Sequence, residues 1–275
     1  MADFSKLTTE GCNPKTTEID KMSALEIAKI INEEDKKVAF AVEKALPEIA
    51  KAIDVLANAL KIGGRIYYCG AGTSGRLGVL DASECVPTYG VSEDTVVGLM
   101  AGGIEAIYAS REFAEDEFDS VSSQMQTKNF CRNDVLIAIS ASGSANCVKG
   151  AIDYAKTVEA TTICVSCNPN SDLVPMVDIP IIAEVGPEVI NGSTRMKAGT
   201  AQKMILNMLS TGAMIRFGRV RGNYMAYMIP NNIKLVDRAI RMICDKTGCS
   251  AELAEKELVA HDYCIADAMD SIEQK

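Results

Sequence analysis

Histidine is almost missing from this 275-residue sequence, which contains only His261, and tryptophan is missing altogether. A Ser-His-Asp triad or a histidine-rich metal site therefore has almost nothing to be built from. Acid–base chemistry would fall mainly to carboxylates, lysine or tyrosine. The composition thus disfavours enzymes that rely on a Ser-His-Asp triad or on histidine metal ligands.

The sequence also lacks a long apolar run and an excess of positive charge. No run approaches the roughly 20 apolar residues of a membrane-spanning helix, and the polar residues 1–13 contain no signal-peptide core. The net charge of −9 disfavours general binding to nucleic acid, whose phosphates select basic surfaces. We therefore expect a cytoplasmic protein that binds neither membrane nor nucleic acid.

The ten cysteines are scattered and lie mostly within apolar runs, as reduced core thiols do. Cys164 and Cys167 form a C-x-x-C pattern, but this pattern lies in a predicted strand. Side chains three positions apart in a strand face opposite sides of the sheet. A zinc or redox role for this pair is therefore disfavoured.

Strand-like and helix-like segments alternate through the middle of the chain. This alternation predicts a parallel sheet with helices on both faces, a doubly wound α/β fold. A capping box at Ser23 and Glu26 begins a first helix, and Pro47 suits the first turn of a second. The predicted strands are 65–69, 95–100, 135–139, 161–165 and 179–183, and the helices that follow the second, third and fifth strands are 104–118, about 146–158 and about 197–217.

After residues 230–232 the sequence is helical and free of strands, with Gly248 between helices. We therefore divide the chain into a first domain, 1–229, and a small helical domain, 230–275.

Three loops that follow predicted strands are rich in glycine and hydroxyl groups. The first, residues 70–75, reads G-x-G-x-x-G. A dinucleotide site with this pattern needs an acidic residue about 20 positions further on, and residues 99–102 supply none. Backbone N–H groups at a helix N-terminus favour an anion. Because such loops meet at the carboxyl ends of parallel strands, the three together predict a phosphate pocket.

The alternative is that Ser, Thr and Gly are simply common at helix N-termini. Between Val189 and Val236, however, the sequence contains seven Lys or Arg residues and no Asp or Glu. That stretch suits an anion pocket, a subunit contact face or both. The candidate ligands are Gly72, Thr73 and Ser74 in the first loop, Ser140, Ser142, Gly143 and Ser144 in the second, and Ser193, Thr194 and Lys197 in the third.

Two carboxylates have unusual helical phases. Glu84 shares a helix face with Leu77, Leu80 and Asp81. In the predicted helix 104–118, Glu115 lies about 20° from the apolar stripe. A carboxylate on an apolar face is paired, protonated or functional. The structural alternatives are an ion pair of Glu115 with Arg111, and a surface position for Glu84 near Arg76.

The loops and carboxylates together resemble a known family. The run from Gly70 to Cys85 (GAGTSGRLGVLDASEC) is similar to the signature of N-acetylmuramic acid 6-phosphate etherases. So is the run from Glu188 to Arg216 (EVINGSTRMKAGTAQKMILNMLSTGAMIR). The segments 9–14 (TEGCNP) and 32–39 (NEEDKKVA) fit too, so the resemblance covers nearly the whole chain.

The resemblance implies a sugar isomerase (SIS) core at about 55–218, a homodimer, and a lyase of cell-wall sugar recycling that uses neither metal nor cofactor. The implied reaction converts N-acetylmuramate 6-phosphate and water to N-acetylglucosamine 6-phosphate and D-lactate. The family's two catalytic glutamates match Glu84, as the acid at the ether oxygen, and Glu115, as the C2 base. The resemblance leaves open the reverse assignment and adds Glu188 to the substrate-binding candidates.

The sequence departs from the family pattern in two places. After Ser142–Gly143 the second loop reads Ser144–Cys147 where the family has an arginine and a threonine, and Tyr227 replaces an acid. We expect these changes to leave the fold intact and to affect which substituents of the substrate the site accepts. Two rival functions remain: an aldose–ketose sugar-phosphate isomerase, which needs one glutamate, and a non-catalytic phosphosugar-sensing regulator, which needs neither.

Overall fold

The computed structural model describes residues 7–111 and 113–274. Its centre is a five-stranded, fully parallel sheet in the order β2-β1-β3-β4-β5. The strands are β1 (Ile66–Gly70), β2 (Val96–Met100), β3 (Val135–Ile139), β4 (Thr161–Ser166) and β5 (Ile179–Ile182). The helices are α1 (Ala24–Glu43), α2 (Leu46–Lys61), α3 (Gly72–Tyr89), α4 (Glu105–Tyr108), α5 (Ser120–Thr127), α6 (Asn146–Thr157), α7 (Lys197–Phe217), α8 (Ile233–Thr247), α9 (Ala251–Ala260) and α10 (Ile265–Glu273).

The predicted doubly wound α/β fold is confirmed, because helices cover both faces of the sheet. Alternate strand residues face opposite sides: Tyr68 packs in the core shared with α1, α2, α3 and α7, and Tyr67 in the core shared with α5 and α6. Cys164 and Cys167 lie in these two separate cores, as their spacing predicted. The expected capping box at Ser23 and Glu26 is formed.

The predicted helix 104–118 is wrong. One helical turn, α4, is followed by an extended residue at Ala109, and α5 begins only at Ser120. Gly102 and Gly103 both have positive φ, as does Phe113, and these conformations break helical continuity. The apolar stripe of the predicted helix consisted of Ile104, Ile107, Tyr108 and Phe118. Ile104 is 75% exposed, Tyr108 88% and Phe118 45%, so most of that stripe belongs to surface residues.

The last three helices pack around a cluster of their own. Leu258, Ile265 and Met269 are buried there, together with Met228 from the segment that precedes α8. Gly248 ends α8 with a left-handed conformation, as expected of a helix-terminating glycine. Among the described residues, no helix is long and apolar enough to cross a membrane.

Candidate active site

The first loop turns tightly from β1 into α3. A Cβ atom on Gly75 would lie 2.4 Å from the backbone oxygen of Gly70. A Cβ atom on Gly70 would lie 2.7 Å from the backbone nitrogen of Gly75. These two glycines of the G-x-G-x-x-G pattern therefore permit close backbone packing, and that packing accounts for them without a dinucleotide. Thr73 and Ser74 lie in the first turn of α3, where backbone N–H groups are unpaired.

Helix α7 packs behind this first loop. The buried Ser74 hydroxyl donates to Gln202 Oε1 at 3.0 Å. Within the described chain, Gln202 Nε2 is buried and has no hydrogen-bond acceptor. A buried donor without a partner costs free energy, so this amide is a donor available beside the loop. Periodicity did not identify Gln202, because its relation to Ser74 arises only from tertiary packing.

The second loop is stabilised by its own hydroxyl groups. The Gly143 N–H donates to Ser140 Oγ at 3.1 Å, and the Ser144 N–H donates to Ser142 Oγ at 3.3 Å. The hydroxyls of Ser142 and Ser144 lie 2.7 Å apart and share a hydrogen bond. The loop leads directly into α6, so its hydroxyls surround a helix N-terminus suited to an anion.

The third loop already contains an anion that belongs to the protein. Glu188 is buried, and its carboxylate accepts from the backbone N–H of Lys197 at 3.0 Å and of Ala198 at 2.9 Å. These are the first N–H groups of α7, which a carboxylate stabilises. Ser193 and Thr194 are half-buried in the turn before them. The three loops therefore differ: two have hydroxyls at a helix start, and the third has a carboxylate there.

Lys197 is likewise bound to another protein group. Its Nζ donates to Glu34 Oε2 of α1 at 2.8 Å, and both side chains are 2% exposed. Lys37 Nζ lies 2.6 Å from the other Glu34 oxygen. Burial alone would raise the pKa of Glu34, but the hydrogen bonds and charges of Lys197 and Lys37 outweigh it and lower that pKa to about 2. The helical pattern of α1 gave no sign that Glu34 would be buried.

Glu115 lies between the first and second loops. It lines a pocket of about 260 Å³ with Gly72 and Arg76 of the first loop and α3. Its backbone oxygen accepts from the Cys147 N–H at the start of α6, at 2.9 Å. The side chain is exposed, and Arg111 pairs with Glu105 instead. The structural alternative for Glu115, an ion pair with Arg111, is therefore not formed among the described residues.

Glu84 lies in a different pocket, of about 290 Å³, between α3 and α7. This pocket is also lined by Leu80, Asp81 and Lys203. Glu84 is exposed and stands twelve residues along α3 from Gly72, roughly 18 Å at 1.5 Å per residue. A single chain therefore does not bring Glu84 and Glu115 into one pocket, although both are accessible.

The neighbour of Glu84, Asp81, is buried and accepts three hydrogen bonds. Tyr68 Oη donates at 2.8 Å, Asn207 Nδ2 at 2.7 Å and Ser210 Oγ at 3.2 Å. Burial raises the pKa of Asp81, and these three donors oppose that effect. The network ties α3 to β1 and to α7, so it fixes the helix that presents Glu84.

Known proteins are similar to this chain over nearly its whole length. The N-acetylmuramic acid 6-phosphate etherase of Aeromonas hydrophila is 52% identical over 95% of this chain and 88% of the relative. The etherase of Clostridium beijerinckii is 52% identical over 95% of this chain and 86% of the relative. The chain belongs to the N-acetylmuramic acid 6-phosphate etherase family.

The remaining comparisons place this etherase-family chain among SIS proteins. Residues 48–156 match the glucokinase regulatory protein N-terminal SIS domain, and residues 117–212 match the SIS domain. A phosphoheptose isomerase from Neisseria gonorrhoeae has a similar fold, with a TM-score of 0.54 and 18% identity over 70% of this chain and 98% of that one. The expected SIS architecture is therefore confirmed.

Proposed function

We propose that this chain is a carbon–oxygen lyase that converts N-acetylmuramate 6-phosphate and water to N-acetylglucosamine 6-phosphate and D-lactate. The observation that carries the proposal is 52% identity to named etherases over 95% of the chain. The exposed carboxylates and hydroxyl-rich loops supply the chemical groups that such a reaction needs. We place the protein in the cytoplasm, where a phosphorylated sugar would be available.

The reaction needs one base and one acid. In the ring-opened sugar the C1 aldehyde acidifies the C2 proton, and we assign its removal to Glu115. The C3–O bond then breaks, with the electrons leaving on the lactyl oxygen and a proton supplied by Glu84. Water adds to C3 of the unsaturated aldehyde, and C2 is reprotonated. Each carboxylate is expected to accelerate the reaction by about 10²–10⁴-fold.

We assign the phosphate to the first two loops. Thr73, Ser74, Ser140, Ser142 and Ser144 place hydroxyls and backbone N–H groups beside the starts of α3 and α6. Gly72 and Gly143 hold the turns in which these groups lie. Ser193 and Thr194 remain candidates at the third loop. For Glu188 and Lys197 we propose an organising role, because their polar atoms bind Ala198 and Glu34.

We further propose that the working enzyme is a homodimer whose active sites are shared. Helix α3 runs back from the sheet edge where the phosphate loops lie, and it carries Glu84 roughly 18 Å away. A hexose phosphate bound at the loops of one protomer is shorter than that span. Glu84 is therefore assigned to the site of the partner protomer, while Glu115 serves its own.

The first test measures D-lactate release from N-acetylmuramate 6-phosphate. The wild type is expected to release lactate, and Glu84→Ala and Glu115→Ala are each expected to lose about 10²–10⁴-fold. Exposed acids near each position, Glu93→Ala and Glu117→Ala, serve as controls and should retain activity. A folded wild type that releases no lactate would rule out the etherase function and favour an isomerase or a regulator.

The shared site is tested by mixing the two inactive variants. After subunit exchange, half of the dimers contain one chain of each kind. In each mixed dimer, Glu115 of the Glu84→Ala chain and Glu84 of the Glu115→Ala chain form one intact site. Lactate release should then recover to about a quarter of the wild-type rate. No recovery after verified exchange would show that both glutamates act within one chain.

A further inference from the structure

Asn168 joins two parts of the chain that are far apart in sequence. It follows β4, and its side chain is 1% exposed. On one side lies the N-terminal segment around Thr8 and Thr9, and on the other lies the second loop around Ala141 and Ser142. Asn168 is not among the residues assigned above to phosphate binding or to acid–base chemistry.

The hydrogen bonds from Asn168 to the N-terminal segment are short. Its Oδ1 accepts from the Thr8 N–H at 2.7 Å and from Thr8 Oγ1 at 2.7 Å. Its Nδ2 donates to Thr9 Oγ1 at 3.1 Å, and Thr9 is itself 1% exposed. Such buried polar groups are costly to leave unpaired, so the N-terminal segment is firmly bound at this point.

The same amide holds the second loop. Nδ2 also lies 3.0 Å from the backbone oxygen of Ala141 and 3.2 Å from that of Ser142, so its two hydrogens are shared among these two carbonyls and Thr9 Oγ1. Ser166 adds to this support, because its Oγ donates to Ala141 O at 3.3 Å and accepts from the Asn168 N–H at 3.2 Å. Residues after β4 therefore form the base on which the loop rests.

Only one orientation of the Asn168 amide satisfies these neighbours. Backbone N–H and hydroxyl donors surround Oδ1, whereas two carbonyl oxygens lie against Nδ2. An amide has one acceptor end and one donor end, and a carboxylate has acceptors at both. Asp at this position would therefore place an oxygen against both carbonyls of the loop.

We propose that Asn168 and Thr8–Thr9 form a clamp that fixes the Ala141 and Ser142 carbonyls and thereby sets the affinity of the second loop for phosphate. The inference rests on the proposed role of that loop. Moving these carbonyls turns the peptide groups that carry the N–H of Ser142 and Gly143. The clamp residues are positioning residues, and none of them is assigned a contact with the sugar.

The test uses three isosteric or nearly isosteric variants of the full chain. Asn168→Asp replaces the Nδ2 donor of the clamp with an acceptor oxygen. Thr9→Val removes the hydroxyl that accepts from Nδ2. Thr16→Val is the matched control: this buried hydroxyl in the same segment donates to Asn13 O, a local contact. Inorganic phosphate is titrated into each variant by calorimetry, and KM and kcat for lactate release are measured in parallel.

We expect the dissociation constant for phosphate and the KM to rise together, on the order of tenfold for Asn168→Asp and threefold or more for Thr9→Val. Their kcat should stay within about threefold of the wild type, and Thr16→Val should leave phosphate affinity unchanged. Unchanged phosphate affinity in a folded Asn168→Asp would overturn the clamp, as would a loss confined to kcat. If Asn168→Asp does not fold, unchanged affinity in Thr9→Val overturns it.

Failure of the clamp and failure of the etherase function give different results. Lactate release with phosphate affinity unaffected by the variants contradicts the clamp alone. If the clamp variants bind phosphate more weakly but the wild type releases no lactate, the etherase function alone is contradicted. A wild type that binds no phosphate in calorimetry overturns the clamp as well.

Discussion

At the scale of single residues, the buried pair of Glu34 and Lys197 is the most consequential interaction outside the proposed site. It connects α1 to the first residue of α7, and its neighbour Glu188 holds the N–H groups of the same turn. Breaking one partner of a buried ion pair leaves the other charge without compensation. The start of α7 therefore depends on two carboxylates from distant parts of the chain.

Glu34→Gln is expected to lower the free energy of unfolding at neutral pH by about 3 kcal/mol or more, because Lys197 stays buried and charged. Urea titrations measure this loss. The control is Glu33→Gln, an exposed neighbour paired with Lys36, which should change stability by less than about 1 kcal/mol. Equal effects of the two variants would contradict the importance of the buried pair.

The same residue predicts a pH dependence. The pKa of Glu34 falls from 4.5 to about 2 on folding, because Lys197 and Lys37 outweigh the cost of burial. A carboxyl group with a lowered pKa stabilises the fold above its unfolded pKa, and that stability is lost as the pH falls towards its folded pKa. Wild-type stability should therefore decline between pH 4.5 and about 2 more steeply than that of Glu34→Gln. Parallel pH curves would contradict this assignment.

Gly143 is the second residue at which a small change has a large expected effect. Its φ is +75°, and an added Cβ would lie 2.1 Å from Ser171 Cβ. Gly143→Ala must displace the second loop, so phosphate affinity should fall at least tenfold. Gly186→Ala is the control, because its φ is +69° with open space around it. The control should cost roughly 1–2 kcal/mol of stability and leave phosphate affinity unchanged, as calorimetry and urea titration would measure.

At the scale of elements, α3 is the helix on which both pockets depend. Its first two turns border the pocket of Glu115, and its second to fourth turns border that of Glu84. Asp81 anchors it through Tyr68, Asn207 and Ser210. A shift of this helix would therefore change both pockets together.

Asp81→Leu should destabilise the protein by about 3 kcal/mol or more, because two buried hydroxyls and one half-buried amide lose their acceptor. Asp81→Asn should cost much less, since its Oδ1 still accepts from Asn207 and Ser210 and the Tyr68 hydroxyl can rotate to accept. Urea unfolding distinguishes the two. A similar loss for both substitutions would mean that the negative charge, rather than the hydrogen bonds, holds α3.

Periodicity and capping predicted most elements, because the spacing of apolar residues along a regular strand or helix follows the face that is buried. All five strands, the capping box and the tail helices lie where the sequence indicated. The segment 104–118 failed because four apolar residues at helical spacing do not establish that a face is buried. Glu115 was selected by that incorrect phase and by the family resemblance; of these two grounds only the resemblance remains, and the pocket beside the first loop now adds to it.

Most of the interactions that sequence reasoning missed join distant segments. Glu188 was expected to bind substrate, yet its carboxylate binds the start of α7 nine and ten positions later. Glu34 binds Lys197 163 positions away, Gln202 binds Ser74 128 positions away, and Asn168 binds Thr9 159 positions away. Local spacing contains no information about such pairs, so they become visible only once the helices are packed.

At the scale of the whole molecule, the helices α8–α10 pack around their own apolar cluster, which also includes Met228 from the segment before α8, and the domain boundary near residue 230 stays a prediction. The link to the rest of the chain includes Arg219, whose guanidinium lies 5.0 Å from the ring centre of Tyr227. Gly90 at the end of α3 approaches the same residue, since a Cβ there would lie 2.2 Å from Tyr227 O. Tyr227, which the family resemblance matches to an acid, therefore lies between the end of α3 and the helical tail.

Leu258→Ala should test whether this tail unfolds independently. Leu258 is fully buried in the tail cluster, so its truncation should cost about 2–5 kcal/mol locally. Hydrogen exchange should accelerate throughout α8–α10 while β1 and β3 keep their protection. Val259→Ala, at a neighbouring residue that is 53% exposed, should leave exchange unchanged. Faster exchange in the central strands would instead indicate one cooperative unit.

The contact between Thr9 and Asn168 also has a consequence for synthesis on the ribosome. The two residues are 159 positions apart, and translation adds about 5–20 residues per second. Asn168 is therefore added roughly 8–30 s after Thr9. During that interval a nascent chain can form α1, α2 and the first strands but not a finished second loop. The clamp can therefore hold the second loop only after the chain beyond β4 has been synthesised.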